Sequence, residues 1–350
     1  MQSIGIDCRF AGSHSGLGRY TRELVTSLLE RHDGIHYTLF VRSGDEAWLK
    51  KDFGSSFSIN VFDCDHYSLR EQLQFPGIIR TAGIELLFSP HFNVPFLSRV
   101  PVVVTVHDLI LHRYPNDAQF LKQLAYRALF RRAITRALRV IAVSAFTARE
   151  LSSVYGRRVT RKLSVIHEAV SQHFSKRHPL DCAEVLQRHG VRQPYFLYVG
   201  NAKEHKNVTM LLAAFAMLDD TGKQLVMVSG GKELAALQPG RGVTVLQDVP
   251  EDDLPFLYSS ARAFVSPSLY EGFGLPLLEA HACGCPGIVL NRSSYPEIAP
   301  PGTALIDTSV EALADALRSP PVWQGPTSQR SWADVAAETA VIFHETLKRV

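Results

Sequence analysis

The sequence predicts an α/β protein of two domains, each a parallel β-sheet covered by helices. Strand-like apolar runs alternate with amphipathic helical segments along most of the chain, the pattern of parallel strands joined by helical crossovers. The pattern breaks at residues 162–179, KLSVIHEAVSQHFSKRHP, which turn from strand-like to polar and end in proline, and then it restarts. Charge changes sign across that break, with a net +9 over residues 1–177 and a net −6 over residues 178–350. A length of 350 residues also suits about two domains. The boundaries are drawn as 1–172 and 173–330, with a last helix in 331–350 that packs back on the first domain.

Residues 2–7, QSIGID, form the first strand and enter the loop GSHSGLGRY at 12–20, after which YTRELVTSLLER has apolar residues at helical spacing. Strand, glycine loop and helix can hold a phosphate on the free amides of the first helical turn. The same loop reads equally as a structural turn. Gly16-Leu17-Gly18 runs into Arg19, Tyr20 and Thr21 without a third glycine for close helix–strand packing, so this is not the dinucleotide fingerprint. Strands follow at 36–41, 58–62, 85–88, 102–106 and 139–143, with helical segments such as 68–81 and 120–136 between several of them. Ligands of such sheets bind beyond the carboxyl ends of the strands. His107 and Asp108, just after VVVTV, therefore point into a crevice, the alternative being an N-cap aspartate beside a loop histidine.

The second half restarts with YFLYVG at 195–200, an apolar helix at 208–218, strands at 224–230 and 243–246, and a helix near 252–261. The loop GNAKEHKN, 200–207, leaves a strand and sets Lys203 and Lys206 ahead of a helix, where a compact ammonium suits a diphosphate. The stretch SPSLYEGFGLPLLEA, 266–280, organises the chain. It holds Glu271 and Glu279 eight positions apart, with Gly272 and Gly274 in a turn and Pro276 near the first helical position. Strand, glycine turn and helix start make an anion site, and the two carboxylates suit hydroxyl-bearing groups on either side of it. A nucleotide sugar has that layout. An ordinary turn with two solvated glutamates is the alternative.

Composition narrows the partners. No apolar run reaches the roughly 18 residues of a membrane-spanning helix, and MQSIGIDCRF lacks the parts of a signal peptide. The odd set Cys8, Cys64, Cys182, Cys283 and Cys285 fits a reducing cytoplasm rather than a disulfide framework. Residues 118–149 hold seven basic residues and no acidic ones. That segment reads either as a helix lying on an anionic membrane surface or as a core-packed helix with a solvated basic face. No nucleic-acid motif accompanies the charge.

Four stretches, GIDCRFAGSHSGLGRY, FSPHFNVPF with PVVVTVHDL, YVGNAKEHKN and SPSLYEGFGLPLLEA, together resemble family 4 glycosyltransferases of the GT-B fold, in their bacterial mannosyltransferase-like branch. The likeness runs from residue 4 to residue 297, and the E-x7-E stretch is its most specific part. It implies two Rossmann-like domains facing across a cleft, with a nucleotide-diphosphate sugar on the second and a glycan or lipid-linked acceptor on the first. By position, Glu279 would bind ribose hydroxyls, Glu271 and His107 the transferred sugar, and Lys206 with the amides of Gly272, Phe273, Gly274 and Leu275 the diphosphate. Gly16 and Gly18 would line the phosphate side. Many members have an arginine where this chain has Asn201, and Lys203 is the residue at hand to replace its charge. The family implies retention of anomeric configuration, no metal or other cofactor, and GDP-mannose as donor for surface polysaccharide or lipopolysaccharide. UDP-glucose or another hexose donor, and a GT-B-fold epimerase or hydrolase, are the alternatives. Asp63-Cys64-Asp65 has the form of a metal–diphosphate pair but lacks a glycine turn, and is read as a solvated loop.

Overall fold

The computed structural model describes residues 2–12, 16–49, 53, 57–114, 120–218, 222–231, 233, 234, 237, 239–328 and 330–349. Residues 13–15 of the first glycine loop and 118–119 of the basic segment, with the Lys122 side chain, lie outside that set. The chain forms two compact units, one of Met1–Ala169 with Arg330–Val350 and the other of Val170–Gln329. The seam thus falls inside the stretch 162–179, three residues earlier than the boundary drawn from sequence.

Unit 1 is built on strands β1 (Ser3–Asp7), β2 (His36–Val41), β3 (Phe57–Val61), β4 (Leu86–Ser89), β5 (Val102–Val106), β6 (Arg139–Ala142) and β7 (Leu163–Val165). They form one parallel sheet in the order β3-β2-β1-β4-β5-β6-β7, so the direction of winding reverses between β1 and β4. VVVTV of β5 is buried throughout, as a strand covered on both faces must be. Helix α1 (Gly16–Glu30) begins four residues before Tyr20, so Gly16 and Gly18 belong to its first turn instead of to a loop ahead of it. Helices α2 (Leu69–Thr81), α3 (Ile110–Arg113), α4 (Phe120–Arg136), α5 (Ala145–Tyr155) and α6 (Arg157–Thr160) follow in the same unit. In α4, Phe130, Ala133 and Ile134 are buried while Arg127, Arg131 and Arg132 are turned outward, which is the core-packed arrangement of the basic segment.

Unit 2 carries strands β8 (Tyr195–Val199), β9 (Gln224–Val228), β10 (Val243–Leu246), β11 (Ala263–Ser266), β12 (Gly287–Leu290) and β13 (Ala304–Ile306), parallel and ordered β10-β9-β8-β11-β12-β13. Its reversal lies between β8 and β11. Alternate residues of β8 enter different cores, Tyr195 and Leu197 on one face and Phe196 and Tyr198 on the other. Helices α7 (Pro179–Arg188), α8 (Val208–Ala216), α9 (Leu254–Ser260), α10 (Leu275–Ala282), α11 (Tyr295–Ile298) and α12 (Val310–Arg318) cover the two faces.

The last helix, α13 (Trp332–Leu347), belongs to unit 1 although the chain reaches it from unit 2. Ser331 and Asp334 form a reciprocal capping box at its start. Its buried side packs on α1 and the sheet, with Phe343 5.0 Å from Phe88 and Trp332 5.6 Å from Tyr20. Arg139 and Glu345 pair at 2.7 Å.

Candidate active site

In unit 2 the loops leaving β8 and β11, on either side of the reversal, hold the predicted donor residues. The turn after β11 ends at Gly274, which caps α10 at φ +107°. Only glycine fits, because a Cβ there would meet the Tyr295 ring at 2.9 Å and lie in a backbone region that side chains avoid. Pro276 sits in the first turn of α10, its missing amide costing nothing there. Ser294 fastens the turn from below by donating to the carbonyls of Glu271 and Phe273. The buried Tyr295 hydroxyl lies 2.7 Å from Ser266 Oγ and 3.4 Å from Glu271 Oε1.

The second loop leaves β8 at Gly200 and closes in a short helical turn, Glu204–Lys206, ended by Asn207 in the left-handed conformation. The Leu269 amide donates to the His205 carbonyl at 2.8 Å, so the two loops are tied to each other. Lys206 Nζ reaches Glu271 Oε1 at 2.6 Å, with both side chains mostly buried. Two residues expected to act on neighbouring parts of one ligand thus meet directly. Asn201 folds back on its own loop, its Oδ1 accepting from the Lys203 amide at 3.3 Å and its carbonyl from the Tyr198 hydroxyl. Lys203 is exposed. Glu279 stands apart from Glu271, buried in the body of α10 and accepting from the Tyr258 hydroxyl of α9 at 3.2 Å.

In unit 1 the loops leaving β1, β4 and β5 meet beside the reversal. His107 follows β5. Its Nε2 faces the Pro90 carbonyl at 2.9 Å and its Nδ1 faces Glu168 Oε1 at 3.0 Å. Tyr20 of α1 packs edge-on against the ring at 4.6 Å. Both nitrogens face oxygens, so both must carry protons for the two bonds to form. Burial works against that charge, but the Glu168 hydrogen bond and charge, with the Pro90 carbonyl, outweigh it and raise the imidazole above its ordinary value. His107 is thus held between the Pro90 carbonyl and the buried Glu168 side chain, an arrangement that favours its protonated form. Glu168 lies in the stretch that reads as a linker, and the sequence does not single it out. Its one signal is a lone acid inside the apolar run of 165–170. Asp108 accepts from the Ile110 amide at 2.9 Å, a local turn contact, while Leu109 stands at the N-cap of α3. Gly16 is exposed at the start of α1, and Gly18 is buried two residues further in. Asp63 accepts from the Ser43 amide at 2.7 Å and Asp65 pairs with Arg42 at 3.2 Å. Among the described residues no three His, Cys, Asp or Glu side chains cluster in a way that could hold a metal.

Two parallel α/β units, each with loops converging at its switch point, have the architecture of the GT-B fold. Family models described as "Glycosyltransferase Family 4" and "Glycosyl transferases group 1" match residues 14–173 and 186–320. The chain belongs to glycosyltransferase family 4. It is 29% identical to O-antigen chain mannosyltransferase B of Escherichia coli over 81% of each chain. To O-antigen chain mannosyltransferase RfbU of Salmonella typhimurium it is 27% identical, over 87% of this chain and 86% of that one. Among solved structures, HepE of Anabaena in complex with UDP and glucose superposes with a TM-score of 0.72 at 17% identity, over 98% of this chain and 99% of that one, a likeness of fold.

Proposed function

We propose that the chain transfers mannose from GDP-mannose, with retention, to a glycan acceptor in surface polysaccharide assembly. The Lys206–Glu271 contact at the glycine turn carries this reading. It sets an ammonium and a carboxylate 2.6 Å apart beside a helix start, which suits the junction between a sugar and its diphosphate. Lys206, Lys203 and the amides of Gly272, Phe273, Gly274 and Leu275 take the phosphate charge as the bond to the sugar breaks. Preorganised cations and amides can do this without a metal. Glu271 holds the sugar hydroxyls, Glu279 the ribose, and the leaving phosphate takes the proton of the attacking acceptor hydroxyl on the same face. In unit 1, Gly16 and Gly18 serve the phosphate side and the His107 imidazolium adds positive charge near the transferred sugar. Mannose is supported by the mannosyltransferase names of the two bacterial relatives.

The acceptor is lipid-linked and met at an anionic membrane surface. Leu69 and Leu73 of α2 and Leu97 are strongly exposed. The Phe96 backbone joins them to basic residues, its amide bonded to Gln72 and its carbonyl to Arg132 and Arg136. Among the described residues no helix is long and apolar enough to cross a membrane.

The test is transfer in the presence of chelator, with the anomeric proton of the product followed by NMR. An α-linked product from α-configured GDP-mannose is expected. An inverted product, a sugar trapped on Glu271, or an absolute requirement for metal would overturn the mechanism.

A further inference from the structure

In unit 2 the contact between Lys206 and Glu271 has a third member. Once a donor enters, both partners of that contact are wanted elsewhere, the ammonium by the diphosphate and the carboxylate by the sugar hydroxyls. At rest they hold each other at 2.6 Å, with only 17% and 13% of their side chains exposed. A carboxylate this dry is costly to leave without a donor when its cation moves away. A second donor stands beside the same oxygen: the Tyr295 hydroxyl, 3.4 Å from Glu271 Oε1.

Tyr295 opens α11 and is buried. Its ring backs onto Gly274 and shares a core with Phe264 and Leu277, so the ring itself is fixed. The hydroxyl is less constrained, since a phenolic proton swings about its C–O bond. At rest that proton goes to Ser266 Oγ at 2.7 Å, and Ser266 donates in turn to Ser268 Oγ at 3.1 Å. Both serines are buried. Burial and the Glu271 charge push the phenol well above its ordinary value, so it stays a donor. Tyr198, another buried phenol that feels the Glu271 charge, already donates to the Asn201 carbonyl.

The phenol thus has one proton and two acceptors. Its bond to Ser266 is short and its approach to Glu271 is long, so the serine holds the proton while Lys206 serves the carboxylate. Removing the ammonium reverses that preference, because a hydrogen bond to a carboxylate is roughly twice as strong as one to a hydroxyl. A shift of roughly half an ångström in the carboxylate brings the contact to ordinary O–H···O length. We propose that Tyr295 is a positioning residue for Glu271. As Lys206 turns to the diphosphate, the Tyr295 hydroxyl passes from Ser266 to Glu271 and holds the carboxylate on the sugar. That the carboxylate meets a sugar rests on the transferase reading above.

The experiment uses the full chain, with calorimetric titration of GDP-mannose and of GDP in chelator. Tyr295→Phe keeps the ring against Gly274 and removes only the hydroxyl. It is expected to raise Kd for GDP-mannose about tenfold and to leave Kd for GDP within about twofold, because the hydroxyl acts through a carboxylate that meets only the sugar. A hydroxyl that only props the glycine turn would weaken both nucleotides alike, since the turn amides serve the diphosphate. That outcome, or an unchanged affinity for GDP-mannose, would overturn the proposal. A second measurement needs no nucleotide. Melting temperatures of wild type, Tyr295→Phe, Lys206→Ala and the double variant form a cycle. Tyr295→Phe is expected to lower the melting temperature about 2–4 °C further in Lys206→Ala than in wild type, because there the hydroxyl is the donor left to Glu271. Equal drops in the two backgrounds refute the exchange even in an active enzyme. If wild type binds neither nucleotide, the transferase reading fails, and the cycle still decides whether Tyr295 takes over from Lys206.

Discussion

His107 sits between two oxygens, and the consequences of that can be measured. Its folded-state pKa is raised by Glu168, so near and above pH 6.5 the native ring keeps a proton that the unfolded chain gives up. The resulting stability is fully present below the unfolded value and is lost as pH rises through the folded one. In Glu168→Gln the amide oxygen still accepts a bond but the charge is gone, and burial then dominates. The NMR titration of the His107 ring is expected to move down in the variant. The deficit in melting temperature relative to wild type is expected to be largest on the acid side and to shrink as pH rises. An unchanged midpoint would show that Glu168 does not govern His107. No reading of the sequence pairs these residues, because 61 positions separate them and only the β5-β6-β7 order joins them. Tyr295 is equally silent, since nothing in its neighbours places its hydroxyl beside Glu271. Glu271, Gly274 and Lys206 are legible because a glycine turn, a proline at a helix start and a lysine after a strand are local signals.

Helices are legible as helices but not as neighbours. The buried stripe of α13 does not name its partner, and only the folded chain shows it to be α1. Likewise α4 reads from sequence as membrane-facing or core-packed, and its buried Phe130 and Ile134 settle the inner face. The outer face is a separate question, carried by Leu69, Leu73 and Leu97 beside Arg132 and Arg136. Burying a leucine in lipid contributes about 1.5–3 kcal/mol, and each basic residue near anionic lipid about 1 kcal/mol. Sedimentation with phosphatidylglycerol vesicles is therefore expected to carry the protein down. Leu69→Glu with Leu73→Glu is expected to weaken that binding tenfold or more. No sedimentation, or sedimentation indifferent to those changes, would remove the membrane from the account.

At the scale of the molecule, two parallel sheets with helices between their strands are readable from apolar runs such as VVVTV and YFLYV. Their seam is readable only roughly, because β7 and Glu168 lie within the stretch that looks like a linker. The topology explains why chemistry gathers where it does, since a winding reversal leaves loops free to converge at the carboxyl edge. The central claim is that the turn bearing Lys206 and Glu271 binds a nucleotide-diphosphate sugar without metal. Calorimetric titration of GDP-mannose in chelator, against wild type and Lys206→Ala, tests it most directly. Saturable binding weakened about tenfold or more by removal of that ammonium is expected. Binding that needs metal, or that Lys206→Ala leaves untouched, would contradict it.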